Sequence, residues 1–207
     1  GVYDYTVWLT YFGLFISIVG MMEGLHGGKT KAVFCLALSG LCDAFDGRIA
    51  RKKADRTEEE KAFGIQIDSL CDIVCFGVFP SIICFTLGVN GTAGIPVIAW
   101  YCICGVIRLA QFNVTAQGRL GETEEKPCYR GLPITSAAVV LPVMCLVGRW
   151  IPAVIFVLLL HLLLAAMGLL FIIDLPFPKL KGKGLAFFAG IVAAALFLLL
   201  AGEAWGC

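Results

Sequence analysis

Four aspartates, Asp43, Asp46, Asp68 and Asp72, lie in the stretch DAFDGRIARKKADRTEEEKAFGIQIDSLCD, at the inner margins of two segments that otherwise read as hydrophobic helices. Positions three and four apart are neighbours on a helix, so Asp43, Gly47 and Ala50 share a face with Asp46 beside them. Gly64, Asp68 and Asp72 fall on one line at intervals of four. Two helices carrying two carboxylates each can therefore meet around a common point. A solvated helix end explains any one of these charges but fits four together poorly, because carboxylates inside a membrane segment need a partner, a wet cavity or a function. Packed together they repel unless cations neutralise them. All-oxygen ligation favours Mg²⁺ or Mn²⁺, and no soft ligand set competes. Gly47 and Ala50 leave the helix surface bare for a bulky ligand, and Arg51 can pair with a phosphate. Divalent metal, arginine and small residues together suggest a diphosphate, which two ions roughly 4 Å apart would polarise while stabilising the leaving phosphate.

The elements that must position these groups read as membrane spans. Hydrophobic residues make up 59% of the 207-residue chain, charged residues only 15%, and mean hydropathy is +0.90. That balance lies far outside a soluble globular domain. A net charge of +1 argues against a nucleic-acid partner, which needs a concentrated basic face. Apolar runs long enough to cross ~30 Å of hydrocarbon occur near 5 to 25, 31 to 49, 64 to 88, 93 to 113, 132 to 148, 151 to 173 and 184 to 202. The fold expected is all-α, a polytopic bundle of about seven transmembrane helices, within six to eight, forming a single domain over 1–207.

With the polar loops RKKADRTEEEK, TAQGRLGETEEKPCYR and PFPKLKGK on the cytoplasmic side, 13 of the 16 Lys and Arg residues lie there, all but Lys29, Lys31 and Arg149. This follows the positive-inside rule and puts the N-terminus and the aspartates at the cytoplasmic face of an integral cell-membrane protein. The first apolar stretch has no basic region before it and no obvious small-residue cleavage site, so no secretory signal is read. Because the sequence starts at Gly1 rather than Met, some N-terminal residues are expected to precede it. Of the ten cysteines, Cys35, Cys42, Cys71, Cys75, Cys84, Cys102, Cys104 and Cys145 sit in apolar spans as small hydrophobes. Cys71 and Cys75 are one turn apart, but neither His26 nor His161 is placed to complete a zinc set.

DAFDGRIAR followed by GIQIDSLCD resembles the signature of the CDP-alcohol phosphotransferases, D-x2-D-G-x2-A-R-x8-G-x3-D-x3-D. Asp43, Asp46, Gly47, Ala50, Arg51, Gly64, Asp68 and Asp72 match every fixed position. Twelve residues rather than eight separate Arg51 from Gly64, and the surplus is the charged stretch around ADRTEEEK, read as a cytoplasmic loop between two intact helical registers. The resemblance implies an intramembrane enzyme fold, usually homodimeric, with Asp43, Asp46 and Asp68 as ligands of two Mg²⁺ or Mn²⁺ ions. It makes Asp72 both a neighbour of the second metal and the general base. Thr10, Gly47, Ala50, Arg51 and Gly64 would receive the CDP-lipid, CDP-diacylglycerol or its diether analogue. An alcohol would attack the β-phosphoryl directly and release CMP, since no Ser, Cys or His stands as a covalent nucleophile.

IDSLCDIVCFGVFPS, IRLAQFNV and YRGLPITSAA resemble blocks of the phosphatidylserine synthase branch of that family. The branch implies L-serine as acceptor, with Arg108, Asn113 and Arg130 as its binding residues and the arginines facing its carboxylate. The runner-up acceptors are glycerol 3-phosphate and an inositol phosphate. Acidic residues in spans also mark ion pathways, so a cation transporter is the competing class; Arg51 beside a bare Gly and Ala face suits a diphosphate better.

Overall fold

A computed structural model describes residues 7–52, 57–118, 128–174 and 176–178, with 190, 193, 194 and 197 as isolated helical positions. Side chains are described for all of these except 47–52, 117, 128–130 and 176–178. The helices are α1 (Trp8–Leu25), α2 (Lys29–Lys52), α3 (Glu58–Asp72), α4 (Phe79–Thr86), α5 (Gly91–Gly118), α6 (Ala137–Val147) and α7 (Ala153–Ile172). A π-helical segment, Ile73–Val78, joins α3 to α4 in one continuous run.

The chain reverses between α1 and α2 at Gly27, whose φ of 91° is open to glycine at little cost. The two helices then pack closely. A Cβ on Gly20 would strike the Phe79 ring and the Cys35 side chain, so the crossing of α1, α2 and α4 needs a residue with no side chain there. α2 also packs on α6, and α5 lies along α7. Phe76, Phe79, Leu36, Ile83, Tyr101, Leu160, Leu164 and Phe171 fill the interior.

The π segment has a local cause. Pro80 lies in the first turn of α4 and lacks the N–H that would bond the Phe76 carbonyl four residues back, while its ring crowds that carbonyl. The turn widens, the Phe79 N–H reaches back to the Val74 carbonyl, and the buried Tyr101 hydroxyl donates to the Phe76 oxygen at 2.6 Å. Ser81 Oγ bonds the Gly77 carbonyl at 2.8 Å. Helix α3 thus passes straight from Asp72 into a widened turn, a feature often found at functional sites.

Among the described residues four helical runs are long and apolar enough to cross a membrane: Trp8–Leu25, Glu58–Thr86, Gly91–Ala116 and Ala153–Ile172. They correspond to the first, third, fourth and sixth spans read from the sequence. Helix α2 is the second, 24 residues long but carrying charges at both ends. Ile134–Trp150 is the fifth, shorter and flanked by 3₁₀ turns. The span expected over 184 to 202 lies outside the described residues apart from its isolated helical positions. Large apolar side chains such as Trp8, Phe12, Phe15, Val154, Leu158 and Leu162 point outward. Helices that are apolar inside and out belong in lipid, and the protein is an integral membrane protein.

Two details differ from the sequence reading. A short antiparallel ribbon, β1 (Cys128–Arg130) with β2 (Pro176–Pro178), pairs Arg130 with Pro176 beside the otherwise all-helical bundle. The charged surplus is only partly a loop, because Thr57 caps α3. Its hydroxyl accepts from the Glu60 N–H at 3.2 Å, and Glu60 Oε2 accepts from the Thr57 N–H at 2.9 Å. This reciprocal cap starts the helix almost two turns before Gly64, with Glu58, Glu59 and Glu60 favourably placed at its positive end.

Candidate active site

Helices α2 and α3 bring the aspartates together. One carboxylate oxygen from each of Asp43, Asp68 and Asp72 lies within 4.8 Å of the other two. Asp46 and Asp72 are buried, with 6% and 9% of their surface exposed. Among the described residues no cation or hydrogen-bond donor meets Asp43, Asp68 or Asp72. Three converging carboxylates without a counter-charge are an unfavourable arrangement by themselves and a fitting one for a hard divalent cation. The acidic cluster therefore fits a divalent cation in its donor atoms and its charge.

Asp46 is engaged from α1. Thr10 Oγ1 donates to Asp46 Oδ2 at 2.8 Å, and Thr10, Asp43, Asp46 and Asp72 line one small pocket whose walls include Gly13 and Ser39. Thr10, read from the sequence as a nucleotide-side residue, thus stands at the aspartates. Gly47, Ala50 and Arg51 continue α2 beyond Asp46 as an unbroken helix, and their side chains lie outside the described residues. Gly64 is half-buried on α3, one turn before Asp68.

The residues assigned to the acceptor occupy α5 and the turn before α6. Arg108 is buried, 8% exposed. Its Nε donates to the Leu132 carbonyl at 3.2 Å and its Nη2 to the Gly131 carbonyl at 3.5 Å. The backbone N–H of Leu132 in turn bonds the Leu170 carbonyl, and Gly131 has a φ of 79°, a left-handed conformation glycine supplies. The guanidinium thus fixes the GLP turn. The backbone of Arg130 is held in the ribbon, and its side chain lies outside the described residues. Asn113 is joined to α3: its Oδ1 accepts from Ser69 Oγ at 2.6 Å and its Nδ2 donates to Gln66 Oε1 at 3.2 Å.

Several of these partners were not singled out from the sequence. Ser69 and Gln66 lie inside GIQIDSLCD, three apart and hence on one face, and that spacing was the available signal. Tyr101 and Pro80 gave none, because their connection runs through a π turn that periodicity does not reveal. Ser136 Oγ, in the turn after GLP, is buried with no hydrogen-bond partner among the described residues.

Comparison with known proteins points to one family. The profile of the family described as CDP-alcohol phosphatidyltransferase matches residues 6–205. A CDP-diacylglycerol–serine O-phosphatidyltransferase from Saccharomyces cerevisiae is 34% identical over 145 residues, 67% of this chain and 51% of that protein. The Helicobacter pylori protein of the same name is 38% identical over 132 residues, 61% of this chain and 52% of that protein. One from Methanocaldococcus jannaschii is 29% identical over 190 residues, 91% of this chain and 82% of that protein. The match thus spans about half the length of the yeast and Helicobacter relatives and most of the archaeal one.

Proposed function

We propose, on the premise that this chain belongs to the CDP-alcohol phosphatidyltransferase family, that it transfers a phosphatidyl group from CDP-diacylglycerol to the hydroxyl of L-serine, giving phosphatidylserine and CMP. The observation that carries this reading is the convergence of Asp43, Asp68 and Asp72 from two membrane helices, within 4.8 Å at their oxygens. The names of the relatives support serine as the acceptor.

Two Mg²⁺ or Mn²⁺ ions would be held by Asp43, Asp46, Asp68 and Asp72, supplying the positive charge that polarises a diphosphate and stabilises departing CMP. Thr10 keeps the Asp46 carboxylate in place from α1. Gly47, Ala50 and Arg51, one to two turns on along α2, receive the diphosphate and cytidine, with Gly64 opposite on α3. Asp72 takes the serine hydroxyl proton as the oxygen attacks the β-phosphorus and the bond to the bridging oxygen breaks. The serine carboxylate is met by Arg130 at the GLP turn, which Arg108 holds rigid as part of the same subsite. Positive-inside charge supports an opening toward the cytoplasm, and a homodimer is the assembly proposed.

Purified protein supplied with CDP-diacylglycerol or its diether analogue, and in parallel with serine, glycerol 3-phosphate or an inositol phosphate, tests the reading. Serine-dependent release of CMP, with a phosphatidylserine or its diether counterpart as lipid product, is the expected result. Preference for glycerol 3-phosphate would overturn serine while leaving the chemistry. Failure to release CMP with any acceptor would overturn the reaction class and return the aspartates to the cation-pathway reading.

A further inference from the structure

We infer that Asn113 is a positioning residue for the aspartates of α3. It clamps Ser69 and Gln66 so that Asp68 and Asp72 keep their rotation toward α2, and it does not bind the acceptor. The inference rests on the proposed transferase reading for its kinetic consequences, though not for its effect on cation binding.

Four positions on α3 matter: Gln66, Asp68, Ser69 and Asp72. At about 100° per residue, Ser69 and Gln66 share a face roughly a third of a turn away from the line of Asp68 and Asp72. One face of α3 carries the carboxylates toward Asp43, and the neighbouring face meets α5 at Asn113. The Asn113 amide spans that face, accepting from Ser69 at 2.6 Å and donating to Gln66 at 3.2 Å. Ser69 is buried and directly follows Asp68 in the chain, so a shift of its hydroxyl carries the Asp68 backbone with it.

The clamp sits where the helix needs one. Immediately after Asp72 the backbone enters the π segment, where the regular ladder of hydrogen bonds that would hold its rotation is interrupted. A carboxylate oxygen stands roughly 6 Å from the helix axis, so turning α3 by about 10° moves it by ~1 Å. Cation sites tolerate errors of only about 0.2 Å in ligand distance. The repulsion among Asp43, Asp68 and Asp72 pushes α3 to turn away whenever no cation is bound, and the amide clamp opposes that rotation. With both amide atoms engaged on α3, Asn113 is spoken for before an acceptor arrives.

The test compares wild type, Asn113→Ala, Ser69→Ala, the double variant and Ser69→Thr, which keeps the hydroxyl, all as full-length protein in detergent. Mn²⁺ binding is followed by the loss of the free-ion EPR signal, and steady-state kinetics with CDP-diacylglycerol and serine run in parallel. Expected is about tenfold weaker Mn²⁺ binding in Asn113→Ala, as for lost supports of ligand residues elsewhere, and a fall in kcat with the KM for serine within about twofold. Ser69→Ala should lose a similar amount, the double variant no more than the worse single variant, and Ser69→Thr should recover most of it. A rise in the KM for serine with unchanged Mn²⁺ binding would overturn the inference and make Asn113 an acceptor ligand, and full additivity of the two alanine variants would overturn the clamp. Should wild type fail to use serine at all, the serine assignment falls, while the Mn²⁺ titration still decides the role of Asn113.

Discussion

The two flanks of α3 are held by opposite means. Toward α2, Asp68 and Asp72 face Asp43 with no counter-charge among the described residues. Toward α5, Gln66 and Ser69 are joined to Asn113 by short hydrogen bonds, and further along α5 Arg108 and Tyr101 bond the backbone of the GLP turn and of the π segment. Among the described residues one flank is electrostatically incomplete and the other has its hydrogen bonds satisfied. A membrane protein can maintain a repulsive cluster only if something rigid resists its spreading, and the hydrogen-bonded flank supplies that resistance. Mutation should therefore impair function on both sides but move stability in opposite directions.

The strongest test falls on the acidic flank. Asp43→Asn or Asp68→Asn should lower turnover by roughly 10³-fold or more, since each removes a charged oxygen from a site that depends on bound cations. Asp46→Asn should behave alike, and EDTA should abolish activity that Mg²⁺ or Mn²⁺ then restores. In cation-free protein Asp43→Asn and Asp68→Asn should raise the Tm, by roughly 2–4 °C for each kcal/mol of repulsion relieved. Thermal unfolding in EDTA beside a CMP-release assay reads both effects. A lower Tm together with lost activity would mean the carboxylates stabilise the fold, and the contrast between flanks would fail. Asp72→Asn should lose chemistry while keeping donor binding. Collapse of CDP-lipid affinity instead would mark it as a ligand rather than a base.

On the hydrogen-bonded flank the sign reverses. Arg108→Lys removes the planar fork that reaches both the Gly131 and Leu132 carbonyls, which an ammonium cannot reproduce. The Tm should fall and the KM for serine should rise about tenfold as the GLP turn loosens, with CDP-lipid binding nearly intact. Unchanged serine KM in a destabilised protein would confine Arg108 to the fold. Tyr101→Phe should act more weakly on catalysis. It leaves the Phe76 carbonyl unpaired beside Pro80, a loss of about 1–3 kcal/mol for a buried acceptor, and turnover should drop only as far as the π turn relaxes around Asp72. A Tyr101→Phe protein as stable as wild type would show that another donor satisfies Phe76.

What could be read in advance divides along the same line. The aspartates were legible because a charge in an apolar run is conspicuous and because spacing of three and four converts directly into a helix face. Thr10 is assigned to the nucleotide side only by the family resemblance, and nothing in its sequence neighbourhood shows that it bonds Asp46. Arg108 and Asn113 were recognisable as polar residues in a span, which says that each needs a partner but not which one. Their partners turned out to be a backbone turn and a serine beside Asp68. The π segment was invisible because it depends on a missing N–H at Pro80 and a hydroxyl twenty-five residues away on α5. The ribbon was invisible for a similar reason, since three-residue strands have no periodicity to read. The sequence reads PFP only as the start of the polar loop PFPKLKGK.

The surplus between Arg51 and Gly64 offers the mildest test. The sequence reads it as a loop, yet Thr57 and Glu60 form a reciprocal cap and Lys61 pairs with Glu58 at 2.9 Å, and six of the twelve residues between Arg51 and Gly64, Glu58 to Phe63, already belong to α3. Helix starts of this kind act on stability in proportion to the donors they satisfy and have no chemistry of their own. Thr57→Ala removes the acceptor for the Glu60 N–H and should lower stability by about 1 kcal/mol, a fall of roughly 2–4 °C in Tm for a chain of this size. Turnover should stay within about twofold, because Asp68 is eleven residues further along and is held independently through Ser69 and Asn113. Thermal unfolding and CMP release measured on one preparation separate the two roles. A loss of activity approaching that of the aspartate variants, at near-normal Tm, would show that the capped turn reaches over the substrate, and the divide between the incomplete flank and its rigid supports would then have to include the start of α3.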